Sequence, residues 1–158
     1  MPSFRSLRRS DALEILRWKY EPPYDLYNHR PQEEESDLAY VLNPKNGFFS
    51  IHDESEEGIG FCSFGPDAQV PGGDYALDAV DIGLGIRPDL AGRGKGAAII
   101  GAVLEFAAAR FKPKRWRVTI AAFNKRARKA WAKAGFVETG EFIRKSDGRK
   151  FVILSKEL

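Results

Sequence analysis

Gly92, Arg93, Gly94, Lys95 and Gly96 stand at consecutive positions near the middle of the chain. Glycines let backbone N–H groups approach an anion closely, and cations set between them favour one. The flanking residues say what carries this loop. Val80, Ile82, Leu84 and Ile86 alternate with smaller or polar residues, a period of two that predicts a strand with one buried face. Pro88 ends that strand, because it has no N–H to give a ladder. After Gly96 the chain is rich in Ala, Ile, Val and Leu and free of proline, which predicts a helix to about Arg110. A helix N-terminus adds partial positive charge to such a loop, so the arrangement suits a phosphate. Arg93 and Lys95 are disfavoured there by roughly 0.3–1 kcal/mol each, and a bound anion reverses that penalty. A surface turn with solvated cations is the competing reading. The loop is not a Walker A, since Lys95 is followed by Gly96, and glycines spaced by two throughout make a poor dinucleotide fingerprint.

A second cationic helix start lies downstream. Asn124 is a suitable N-cap, and Lys125, Arg126, Arg128 and Lys129 follow it, so the same dipole argument asks for an anion nearby. The wider charge pattern agrees. From Arg110 to Val137 there is no Asp or Glu, whereas Asp11 to Asp81 carries only Arg17, Lys19, Arg30 and Lys45 as cations. Two partners of opposite charge are expected, an anion toward the C-terminal half and a cation toward the N-terminal half. Trp18, Tyr20, Tyr24 and Tyr27 crowd the acidic half beside Glu21 and Asp25. They read as a core edge, or as a pocket wall for a cationic group. Trp116, Phe123 and Trp131 among the cations of the acid-free segment keep a nucleic-acid-binding module as the rival from another class. The acidic N-terminal half argues against a long phosphate track.

Other chemistry is excluded or weak. Cys62 is the only cysteine, so no internal disulfide forms, and its apolar neighbours from Ile59 to Phe64 predict a buried, inert thiol. His29 and His52 have no Cys or His at ligand spacing, so no metal site is expected. Met1 to Arg9 has no apolar core of a signal peptide, and the longest apolar run, Ala97 to Leu104, is too short to span a bilayer. A cytoplasmic protein without membrane contact is the expectation. At 158 residues one domain, residues 1–158, is the simplest organisation.

The remaining elements read in order. Phe4 to Arg8 predicts a strand, Ser10 caps a helix over Leu13, Ile15, Leu16 and Trp18, and Pro22-Pro23 breaks it. Glu33 to Val41 predicts an acidic helix with Leu38, Tyr40 and Val41 inward. Gly47 to His52 and Ile59 to Phe64 predict an antiparallel hairpin, followed by a Pro- and Gly-rich loop to Tyr75. Trp116 to Ala121 predicts a strand, Asn124 to about Ala134 a helix closed by Gly135, and Val137–Arg144 with Lys150–Leu154 a final antiparallel pair.

Strand, then Arg93-Gly94-Lys95-Gly96-Ala97 opening a helix, resembles the acyl-CoA-binding signature of the GCN5-related N-acetyltransferases. Asn124-x-x-Ala127-x-x-x-Trp131-x-x-x-Gly135-Phe136 resembles the second motif of that family, and the element order matches over essentially the whole chain. The resemblance implies a mixed α/β (α+β), mostly antiparallel sheet of about six to seven strands with about four helices, its fourth and fifth strands splayed. It implies an N-acetyltransferase that moves the acetyl group of acetyl-CoA to a primary amine by direct attack in a ternary complex. Leu84, Gly85 and Ile86 would meet the thioester and pantetheine. Ala91, Gly92, Arg93, Gly94, Lys95, Gly96 and Ala97 would hold the pyrophosphate. Asn124, Ala127 and Trp131 would flank the cofactor arm, with Lys125 to Lys129 near the outer phosphates. Asp81 falls roughly where several members carry a glutamate base, with Asp78 in reserve; the competing reading is that Asp81 only solvates a strand end or accepts a hydrogen bond. A homodimer, common in the family, is compatible with the chain, and a cationic amine is the expected acceptor. Two departures stand out. Ala91 occupies the place of a usual Gln or Arg, and Trp131 that of a usual Tyr acid. An indole has only an N–H and cannot protonate a thiolate in that way, so a CoA-binding homologue without turnover is a further alternative.

Overall fold

Alternating apolar residues build one sheet. In the computed structural model, which describes residues 1–158, the strands are β1 (Ser3–Ser6), β2 (Phe48–His52), β3 (Gly58–Phe64), β4 (Val80–Ile86), β5 (Arg115–Ala121), β6 (Val137–Arg144) and β7 (Arg149–Glu157). The helices are α1 (Arg9–Leu16), α2 (Glu34–Leu42), α3 (Gly96–Phe111) and α4 (Lys125–Lys133). The strand order is β1-β2-β3-β4-β5-β7-β6. Every neighbouring pair is antiparallel except β4 and β5, which run parallel and meet only at Val80↔Trp116 and Asp81↔Arg117. Beyond Asp81, β4 follows β3 instead, through Phe64↔Ile82 to Gly60↔Ile86. The fourth and fifth strands are therefore splayed.

Two backbone bonds fix which groups face the opening. The Arg87 N–H donates to Ile59 O at 2.9 Å and the Gly65 N–H to Asp81 O at 2.9 Å. In an antiparallel ladder bonded pairs alternate with non-bonded ones. The odd-numbered residues of β4 are thus bound to β3, and the main-chain groups of Ile82, Leu84 and Ile86 face the gap toward β5. The Tyr20 hydroxyl confirms this by donating into the gap, to Ile86 O at 2.7 Å.

Side-chain alternation then divides the molecule into two layers. Ile82, Val118 and Ile120 join α3 (Ile99, Ile100, Val103) and Trp131 of α4 in the main core. Burying side chains of this size contributes about 1.5–3 kcal/mol each, so this face dominates stability. The other face carries α1 and α2, which form a small core of Ala12, Leu16 and Leu38. Trp18, just after α1, lies 6.2 Å from Phe61 of β3, ring to ring.

Some local expectations shift. α1 begins at Arg9 instead of after Ser10, because the Asp11 carboxylate accepts from the Arg8 N–H at 3.1 Å and caps the first turn. Tyr40 is exposed, not inward, because its hydroxyl donates to Asp67. α4 ends as its sequence suggests, with Gly135 at φ +98° and the Phe136 N–H donating to Trp131 O at 3.2 Å.

Candidate active site

The opening between β4 and β5 widens into a cavity of about 750 Å³, lined mostly by apolar side chains. Leu84, Gly85, Ile86, Ala91, Gly92, Gly94, Gly96, Ala97, Asn124, Ala127 and Trp131 all line it, so β4, the glycine loop and α4 converge on one space. Arg93 and Lys95 are exposed beside the loop, outside the lining. Of the cations that open α4, Arg126 and Lys129 line the cavity, joined by Lys133 one turn on.

The loop forms a row of donors. Gly92 and Gly94 both sit at φ +76°, a left-handed conformation that side chains oppose. The backbone N–H groups of residues 92–98 reach no backbone carbonyl. A helix always leaves its first N–H groups unpaired; here the row extends backward through the whole loop. A Cβ on Gly92 would come within 2.7 Å of the Arg126 guanidinium, whereas Gly94 has nothing within 4 Å. Arg126 in turn lies over the Tyr24 ring, 4.1 Å from its centroid. One cation thus ties loop, α4 and the segment after α1 together.

Leu84 and Gly85 differ in what they offer. The Leu84 N–H faces the gap, but the Gly85 N–H faces β3, by the alternation above. Gly85 serves by lacking a side chain: a Cβ there would collide with the Phe61 ring. Asn124 caps α4, its Oδ1 accepting from the Ala127 N–H at 3.1 Å, and its Nδ2 donates to the Tyr27 hydroxyl at 3.2 Å. Trp131 is 5% exposed and meets Phe136 edge-to-face at 4.9 Å, so it is a wall between core and cavity.

Asp81 lies elsewhere. It is 3% exposed and does not line the cavity. Arg117 grips it through two bonds, Nε to Oδ1 at 2.6 Å and Nη2 to Oδ2 at 2.8 Å, and Gln69 adds a third at 2.9 Å. The side chain does face away from Val80 and Ile82, as its place in β4 implies, but that face is here filled by Arg117, which also stacks on Tyr75 at 4.9 Å. The carboxylate holds the Arg117 guanidinium charged, pushing its pKa up through their hydrogen bonds. A carboxylate so engaged, outside the cavity lining, ties β4 to β5 where their ladder ends. Asp78 is exposed and also outside the lining.

Sequence reasoning missed an imidazole in the cavity lining. His29 lines its mouth, and its Nδ1 lies 3.1 Å from Asp37 Oδ2 of α2. Nothing in the spacing of His29 and Asp37 announces the pair, because it depends on how the loop before α2 folds back. Tyr20 and Tyr27 also line the space. Burial pushes the Tyr20 hydroxyl up to about 12 and raises that of Tyr27 as well. No Asp or Glu lines the cavity, so neither Glu21 nor Asp25 joins the aromatics there. Cys62 is fully buried, and burial pushes its thiol up to about 12, in keeping with an inert residue.

The acid-free segment is not one basic surface. Arg117 is interior, Arg115 pairs with Glu157 at 2.7 Å, and Arg128 with Glu138 at 2.6 Å. No group of acidic, His or Cys side chains is arranged to hold a metal, and no helix is long and apolar enough to cross a membrane.

No curated protein sequence matches the chain. Solved structures do. A chimera built on the spermidine N-acetyltransferase of Vibrio cholerae superposes with a TM-score of 0.74 at 18% identity, over 99% of this chain and 95% of that one. The Vibrio cholerae enzyme in complex with CoA and spermine gives 0.71 at 18% identity, over 99% and 95%. A putative acetyltransferase from Acinetobacter baylyi gives 0.72 at 18% identity, over 100% and 93%. At such identity these establish the fold alone. Residues 3–137 match the family described as the acetyltransferase (GNAT) domain. With that match spanning most of its length, and with the splayed sheet and the donor loop it folds into, the chain belongs to the GNAT acetyltransferases, which use acetyl-CoA as their acyl donor.

Proposed function

We propose that this protein transfers the acetyl group of acetyl-CoA to a primary amine by direct attack while both are bound. The observation that carries the reading is the row of unpaired N–H groups at residues 92–98, set at the mouth of a cavity that passes between β4 and β5. Those amides would hold the pyrophosphate, with Lys129 adding charge. The pantetheine arm would lie in the gap, against the main-chain groups of β4 that β5 leaves free. The Leu84 N–H would donate to the thioester oxygen as it gains charge, the task of an oxyanion hole.

The amine nitrogen adds to the acetyl carbon to give a tetrahedral oxyanion, whose collapse re-forms the carbonyl and breaks the carbon–sulfur bond. A primary amine of the lysine type has a pKa near 10.4 and must lose a proton before or during attack. His29 would take it at Nε2, its Nδ1 held by Asp37. Imidazole suits this role because one ring nitrogen can accept a proton while the other is held by a carboxylate. The departing thiolate would take a proton from the Tyr27 hydroxyl or from water, since Trp131 cannot supply one. Trp131 is also the single observation behind a second reading, a CoA-binding protein without turnover.

Calorimetry with acetyl-CoA, with ATP and a random oligonucleotide as controls, tests the site. Selective binding that Gly94→Glu abolishes is expected; equal affinity for the variant overturns the phosphate assignment. Release of free thiol with an amine panel then separates an enzyme from the silent homologue.

A further inference from the structure

The chemistry of the acceptor can be read from the side of the cavity away from α3 and α4. Alternation along β4 and β5 assigns Gly83 and Thr119 to that side, together with Ile15, Trp18, Phe61 and Val70. Phe151 of β7 lies opposite Ala121 and closes the far wall. The charged side chain here is Arg144 of β6, whose guanidinium carbon sits 4.9 Å from the Phe151 ring centroid.

No carboxylate lines this room: Glu21 and Asp25, beside its aromatic residues, are exposed and outside the lining, and others nearby are engaged. Asp81 is gripped by Arg117, Asp37 by His29, and Asp67 by Tyr40 and Ser63. Asp147 is bonded to Nε and Nη2 of Arg144 at 3.1 and 2.6 Å and does not itself line the cavity. Aromatic faces such as Trp18 and Phe61 can seat the one ammonium that is about to react. A second ammonium in the same room would meet no carboxylate in the lining and would face Arg144, whose Nη1 is left free by Asp147, a like-charge juxtaposition that interfaces avoid.

Resting on the acetyltransferase reading above, we infer that the acceptor is a hydrophobic monoamine, an amine on an apolar body with no second positive charge, and that Arg144 sets this selectivity. A polyamine is the substrate class this room rejects.

Hexylamine and 1,6-diaminohexane make a matched pair, equal in chain length and differing by one terminal ammonium. With saturating acetyl-CoA and thiol release as readout, kcat/KM for hexylamine should exceed that for diaminohexane by at least about tenfold. Spermidine should rank with the diamine. Arg144→Glu should close or invert the gap, and Arg144→Leu should narrow it, each checked for folding by circular dichroism. Wild-type preference for the diamine or spermidine overturns the inference, as does an unchanged ratio in both variants. If acetyl-CoA binds but no amine releases thiol, the transfer reaction fails on its own. Calorimetric titration of the two amines into CoA-loaded protein still decides the selectivity, because tighter hexylamine binding supports it and tighter diamine binding sinks it.

Discussion

The sequence assigns Asp81 the part of a base and gives His29 none. Asp81 sits on the central strand near the expected chemistry, yet the structure sets it in a buried bidentate pair with Arg117. Removing one partner of such a pair leaves an uncompensated charge, which costs about 3–5 kcal/mol. Asp81→Asn should therefore lower stability by about that amount in urea melts, while the folded fraction at low temperature keeps its turnover. A fall in kcat without a fall in stability would return Asp81 to the role of base. His29 carries the opposite expectation. His29→Asn should lower kcat by about 10²-fold, within the usual range for a proton-transfer group, with acetyl-CoA affinity unchanged in calorimetry. Turnover equal to wild type would remove His29 from the mechanism. The difference lies in contact: one carboxylate is enclosed by arginine and glutamine, and one imidazole lines open space.

At the scale of elements, most of the arrangement was legible before any coordinates. The period of two over Val80–Ile86 and the glycines after Pro88 define the strand and the loop, because backbone demands are local and leave their mark in residue types. Asn124 announces α4 for the same reason, and its side chain does cap the Ala127 N–H. Asn124→Ala should lower stability by about 1 kcal/mol and the midpoint of thermal unfolding by about 2–4 °C; an unchanged midpoint would mean that the cap contributes nothing. What stayed hidden depends on contacts between distant segments. The aromatic, acidic stretch from Trp18 to Asp37 suggests a wall for cations, but three of its acids pair with neighbours, Glu34 with Arg17, Glu33 with Arg30 and Asp37 with His29, and Glu21, Asp25 and Glu35 are exposed outside the lining. The aromatics Trp18, Tyr20, Tyr24 and Tyr27 do line the cavity. Arg144, far along the chain on the last hairpin, gave no sign of joining them.

For the whole molecule, the decisive feature is that β4 and β5 share only two register pairs, Val80↔Trp116 and Asp81↔Arg117. Ligand at about a hundred times its dissociation constant adds about 2.7 kcal/mol to stability, which for a domain of this size raises the thermal midpoint by about 5–10 °C. Acetyl-CoA should produce such a rise, whereas ATP at the same concentration should not. Amide exchange gives the finer test. Leu84 and Ile86 should exchange fast in the free protein and slow with acetyl-CoA present, while Gly83 and Gly85, bonded to β3, stay protected throughout; Leu84 and Ile86 slow in both states would contradict the open edge. The sheet thus parts into β1 to β4 on one side and β5, β7 and β6 on the other, while one core of α3, α4 and strand side chains spans both. The junction is also the last main-chain pairing before the gap, so Asp81 and Arg117 mark how deep between the strands a donor arm could reach.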